Sequence, residues 1–200
     1  MAEYVPFPVV FNEANRYADL EGIKADLNWI VEAAGEFVKT RINDSIIREA
    51  FTFAAVVKYG RVFNSGVRRA ITKDLINNLE SNFQKDHEEF MALRDRYVAH
   101  SVNNFEENYT QVYIKDPMSQ NPEFNQISVM HNRVVSISVD DMNRLAVLAK
   151  ELMDKIGSLM KAEKPKVEEI ARRIPVTELI KRKYRSERDN VFKARKRETI

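Results

Sequence analysis

The sequence predicts a mainly α protein, a helical bundle with a small antiparallel β-hairpin inserted before its last long helix. Three observations carry this. Leu20, Ile23, Leu27, Ile30, Ala34 and Phe37 recur at spacings of 3, 4, 3, 4 and 3, the apolar seam of a long helix packed against others. Leu145, Ala149, Leu152, Ile156 and Leu159 form a second seam at spacings of 4, 3, 4 and 3. Between them the period drops to two: Val112 and Ile114, Ile127 and Val129, then Val135, Ile137 and Val139 alternate with other residues, as in half-buried strands. Long helices with matching seams bury them against one another, which makes a bundle the natural architecture.

In chain order, Val5-Pro6-Phe7-Pro8 is an extended lead-in, because each proline fixes its own φ and biases the preceding residue away from helix. Asn12 is placed to cap the first helix, and Trp29 sits beside its seam. Asn43, Asp44 and Ser45 offer caps for a second helix through Ile46, Ile47, Ala50, Phe51, Ala54 and Val57. That helix is expected to end near Gly60, before a basic loop to Ala70 that carries Arg61, Arg68 and Arg69. Thr72 can cap a third helical stretch through Leu75, Ile76 and Leu79, which either stands alone or joins a helix over Phe83 to Ser101. Asn103, Asn104 and Asn108 belong to a loop; Asp116-Pro117, Asn121-Pro122 and His131-Asn132-Arg133 punctuate the strand region. Asp140 or Asp141 can cap the last long helix.

Two hundred residues at 44% hydrophobic content support one bundle domain, assigned to residues 1–162, followed by a tail over residues 163–200. Residues 161–200 hold 14 of the 32 Lys and Arg against 7 of the 30 Asp and Glu, a net of +7, which leaves the rest at −5. Lys181, Arg182, Lys183, Arg185, Arg195, Lys196 and Arg197 concentrate that charge. Such a tail is either a solvated helical extension or an arm that neutralises phosphates in a salt-dependent way without reading sequence.

The composition also excludes chemistry. With no cysteine there is no disulfide, thiolate nucleophile or thiolate metal site, which fits a reducing compartment. The start, Met-Ala-Glu-Tyr-Val-Pro, lacks a basic then apolar leader, and no apolar run approaches the ~20 residues of a membrane span. A soluble cytoplasmic protein with no membrane partner is expected. His87, His100 and His131 are scattered, with no His-Glu-x-x-His, and the five glycines form no phosphate-binding loop. Neither a metal nor a cofactor is expected, and His87 and His131 are read as structural.

The stretch Phe90 to Ser101 stands apart. On a regular helix Phe90, Met91, Tyr97 and Val98 share one apolar arc, and Arg94 falls in its middle. A guanidinium there requires a buried partner, a cleft or a ligand, since its removal from water costs several kcal/mol. Asp95 and His100 add polar groups nearby. Arg94 and His100 are six positions apart, about 120° around a helix, so one regular helix does not aim both at a point.

Leu93-Arg94-Asp95-Arg96-Tyr97-Val98-Ala99-His100-Ser101 resembles the motif of the HEPN superfamily. It is similar in particular to HEPN-like proteins of the abortive-infection type, in which arginine and histidine are likewise separated by five residues. The resemblance implies a HEPN-like bundle and a homodimer whose two motif helices face each other, bringing both copies of Arg94 and His100 into one cleft. It implies a metal-independent endoribonuclease acting on RNA, with Arg94, Asp95 and His100 catalytic and Arg96 near the nucleic acid. It further implies a role in phage defence or as a toxin, with an antitoxin protein as partner.

The residue types suit that reaction. A histidine with a reference pKa of about 6.5 can take the 2′-hydroxyl proton or protonate the leaving 5′ oxygen, and arginine can hold the phosphate. Asp95 would orient His100 or the partner's arginine. Other members of the family are non-catalytic binding or dimerisation modules, and that is the alternative reading.

Overall fold

The computed structural model describes residues 6–41, 44–64, 68–95, 108–131 and 136–181. Six helices and one hairpin follow in order: α1 (Asn12–Lys39), α2 (Ser45–Phe63), α3 (Lys73–Asn77), α4 (Ser81–Leu93), β1 (Asn108–Lys115), β2 (Glu123–His131), α5 (Val139–Arg173) and α6 (Val176–Lys181). The chain is mainly α, and its two-stranded antiparallel sheet precedes the last long helix.

The long helices α1 and α5 pack along each other, α2 lies on α1, and α4 bridges α2 and α5. Both expected seams form the core. Leu20, Ile23, Leu27, Ile30, Ala34 and Phe37 are buried, as are Leu145, Ala149, Leu152 and Ile156. Each large side chain removed from water contributes about 1.5–3 kcal/mol. At the far end of the α5 seam Leu159 is exposed and Met160 takes the inward position.

The α2 face differs from the expected one. Ile46, Ile47 and Val57 point to solvent, and the buried positions are Arg48, Thr52, Ala55, Val56, Tyr59, Gly60 and Val62. Arg48 is tolerated inside because its guanidinium lies 4.1 Å from the centroid of the Phe37 ring, a cation–π contact on an apolar wall. Thr52 is satisfied twice: its hydroxyl donates to the Arg48 carbonyl at 2.9 Å and accepts from the Ile137 amide at 3.3 Å.

Several boundaries shift too. The first helix starts at Asn12 itself after Phe11, and the Asn12 side-chain oxygen accepts from Arg69. The second helix runs past Gly60 to Phe63. The third and fourth stretches are separate helices, divided by residues 78–80. Asp116-Pro117 and Asn121-Pro122 lie in the connection between β1 and β2, so the hairpin's turn falls there; Asn132 and Arg133 lie outside the described residues. Val139 is helical rather than extended, and Val135 lies outside the described residues.

The cap of α5 is Ser138, whose hydroxyl oxygen accepts from the Asp141 amide at 3.0 Å; Asp140 and Asp141 occupy the first turn, where carboxylates favour the positive end of the helix. The boundary expected after residue 162 falls inside α5, which continues through Pro165 to Arg173. Proline removes one backbone donor, while Glu163, buried beside it, is held by Arg16 at 3.5 Å and Lys166 at 3.4 Å.

Candidate functional site at the end of the fourth helix

Helix α4 turns one face to α2. His87, Phe90 and Arg94 follow at spacings of 3 and 4, and all three meet the same stretch of α2. Tyr59 and Phe63 supply the aromatic wall there: the Phe63 and His87 ring centroids are 4.5 Å apart and those of Tyr59 and Phe90 6.2 Å. Next to Tyr59, α2 presents Gly60 in place of a side chain. The Arg94 stem lies in that gap, so close that a Cβ at Gly60 would stand 2.9 Å from its Cγ and 3.1 Å from its Cδ.

The out-of-place cation is thereby accounted for. The stem of Arg94 is packed on the apolar contact and its head reaches the surface, with 31% of the side chain exposed. Nη1 donates to Asp95 Oδ1 at 2.7 Å, and that carboxylate is itself 56% exposed. A pair this open is worth at most about 1 kcal/mol, so an incoming phosphate can replace Asp95 at the guanidinium without uncovering a buried charge. Arg94 itself keeps helical backbone angles, and its amide donates to the Phe90 and Met91 carbonyls.

Beneath the surface pair lies a second polar contact. The Tyr59 hydroxyl and His87 Nδ1 are 2.8 Å apart. Burial raises the Tyr59 pKa above the usual phenol range, and the Asp86 charge adds to it. Burial lowers that of His87, against the Glu88 charge and with that of Lys73. A protonated phenol and a neutral imidazole satisfy the contact in either sense: the hydroxyl donates to Nδ1, with the His87 proton on Nε2, or Nδ1–H donates to the phenol oxygen. His87 also lines a cavity of about 270 Å³ with Lys73, Gln84 and Glu88. Its role is structural in the α2–α4 contact.

An adjoining side of α4, which shares Phe90 with the α2 contact, is pinned to α5. Arg144 donates to Asp86, Glu89 and Asp141, and its guanidinium lies 5.7 Å from the Phe90 ring centroid. Among the described residues no group of three or more acidic or histidine side chains could hold a metal ion, and no helix among them is long and apolar enough to cross a membrane.

Of the expected catalytic residues, Arg94 and Asp95 are brought together. Asp95 pairs with the arginine of its own chain. His100 and Arg96 lie outside the described residues, as do Tyr97 and Val98 of the apolar arc. Lys181 is the exposed last residue of α6; Arg182, Lys183, Arg185, Arg195, Lys196 and Arg197 lie outside the described residues. Sequence reasoning missed Gly60 and Tyr59. A glycine within an otherwise helical run was the available signal for the first; nothing in sequence marks the second.

No family model matches the chain, and no curated protein or solved structure matches it either.

Proposed function

We propose that the chain is a metal-independent endoribonuclease that cleaves RNA through a 2′,3′-cyclic phosphate, at a site composed across a homodimer from Arg94, Asp95 and His100. The observation that carries this reading is the Arg94–Asp95 pair: a guanidinium seated by Gly60, open to solvent and held by an exposed carboxylate. In the reaction His100 of one copy removes the 2′-hydroxyl proton, and the 2′ oxygen attacks phosphorus. The bond to the 5′ oxygen breaks, and the second His100 returns a proton to that leaving oxygen. Arg94 replaces its contact with Asp95 by bidentate contact with the phosphate and offsets the charge developing there. RNA is obligatory because the nucleophile is its own 2′-hydroxyl. The HEPN-like motif supports the assignment of His100 and the dimer, and with them a phage-defence or toxin role restrained by an antitoxin protein.

A second reading, a non-catalytic nucleic-acid-binding or dimerisation module, is favoured by the fact that Arg94 already has a carboxylate partner. Cleavage of RNA by the purified chain in EDTA separates the two. The ribonuclease reading expects cyclic-phosphate ends from wild type and loss of cleavage in folded Arg94→Ala and His100→Ala. Cleavage that survives both substitutions would end it.

A further inference from the structure

One face of the hairpin is continuously apolar, and among the described residues no other element covers it. Its register sets Thr110 opposite Val129, Val112 opposite Ile127 and Ile114 opposite Phe124. Side chains alternate across a strand, so the first two pairs share a face. A bulge between Tyr113 and Ile114, with Asn125 as the extra residue, brings Phe124 to the same side. The other face is mixed: Gln111, Gln126 and Ser128 share it with Tyr109, Tyr113 and Met130, and Gln111 Nε2 donates to the Tyr113 hydroxyl at 2.9 Å. Val112, Ile114, Phe124, Ile127 and Val129 are 45–63% exposed, and among the described residues neither strand packs along a helix. A lone two-stranded sheet is marginal in water, and its apolar face is normally covered by another element.

The bundle carries a second bare apolar surface. Ile46 and Val57 fall on one side of α2, eleven residues or three turns apart, with Ile47 beside them and Val38 at the end of α1. Ile46 is 80% exposed, and the other three are 36–51% exposed. Taking on the order of 150 Å² for each large side chain, the hairpin face offers roughly 400 Å² and the helix surface roughly 300 Å². Neither alone reaches the about 800 Å² per partner of a stable interface, whereas the two together approach it. Two hairpins packed face to face would bury the smaller area and leave α2 bare.

We propose that the hairpin of one copy docks its Val112–Ile127–Phe124 face on the Ile46–Val57 side of α2 in a second copy, and reciprocally. Reciprocal docking between the same two copies closes the assembly as a two-fold dimer, whereas hairpins passed head to tail to successive copies would build a filament. The proposal rests on the ribonuclease reading only in naming a surface for its homodimer; molecular mass tests it, and RNA cleavage does not.

Light scattering on the full chain is expected to give a dimer. Phe124→Asp with Ile127→Asp on the hairpin, and separately Ile46→Asp on α2, each weaken it at least tenfold in Kd while the helical circular dichroism persists, because all three positions lie outside the core. The chain has no cysteine, so a mixture of Ile46→Cys and Ile127→Cys molecules reports the geometry directly. Oxidation should join the two variants to each other. A monomeric wild type overturns the proposal, as does a dimer that neither surface variant weakens, or an Ile127→Cys molecule that joins only to its like. An unweakened dimer that still cleaves RNA removes this surface and leaves the ribonuclease reading standing; surface variants that dissociate a dimer without cleavage activity do the reverse.

Discussion

Gly60 and Arg94 occupy one another's space: the arginine stem fills the gap that a side chain on α2 would otherwise take, with only 2.9 Å left for a Cβ. Gly60→Ala therefore separates folding from function. The clash falls on Arg94 Cγ and Cδ, so the whole side chain must turn away and give up its packing on α2, a cost that the preference of about 1 kcal/mol for alanine over glycine within a helix offsets. We expect the stability of Gly60→Ala in urea to stay within about 1 kcal/mol of wild type while RNA cleavage drops at least tenfold, in the direction of Arg94→Ala. Unchanged cleavage in the folded variant would show that Arg94 needs no seat.

The Tyr59–His87 contact makes stability depend on pH. The folded pKa of His87 lies below the 6.5 of the free side chain because of its burial. As pH falls the unfolded chain takes up this proton first, so it binds more protons than the folded chain. The contribution is complete above about pH 6.5, decreases as pH falls from there towards the folded value, and changes no further below it. Wild type should drop in melting temperature between about pH 7.5 and about pH 5, and His87→Gln should drop less across the same interval. Equal slopes would remove His87 as the cause. Tyr59→Phe, which removes the hydroxyl from the His87 Nδ1 contact, should cost about 1 kcal/mol at neutral pH.

Arg144 tests whether α4 is held from its outer side. The side chain of Asp86 is only 15% exposed and that of Arg144 39%, so replacement by methionine leaves a mostly covered carboxylate without its cation. We expect a destabilisation of about 1–2 kcal/mol, discounted from the value of a fully buried pair because the arginine is partly open. Urea denaturation of Arg144→Met checks it, and Asp86→Asn in the same background should recover part of the stability by removing the stranded charge.

The seams of α1 and α5 were legible in the sequence because their buried positions are nearly all aliphatic or aromatic and recur with the helical period. The face of α2 was not. Its inward positions include Arg48 and Thr52, whose burial depends on Phe37 and on the Ile137 amide, partners supplied by distant segments, while Ile46 stays outside. Arg94 could be marked as anomalous from its place in an apolar arc. Its solution lay in a glycine 34 positions earlier in the chain, and Gly60 read locally as a helix end. The Tyr59–His87 contact, 28 residues apart in sequence, likewise exists only once α2 and α4 are packed.

The basic end of the chain is expected to hold RNA without choosing it. Residues 182–200 carry eight Lys and Arg against three Asp and Glu, a charge that favours any polyphosphate. The informative truncation is after Lys181 and not after Lys164, because α5 runs to Arg173 and Lys166 is a partner of buried Glu163. A chain of residues 1–181 should keep its melting temperature and its kcat, since the Arg94 site is intact, and bind RNA more weakly. The logarithm of its binding constant should fall less steeply with the logarithm of salt concentration, by about 0.7 for each phosphate of a single strand that the tail no longer neutralises. A rise in KM at low salt that disappears at high salt would carry the same signature into the kinetics. If slope and KM were both unchanged, the tail would have no part in RNA binding, and the bundle itself would have to supply the cations that meet the phosphates.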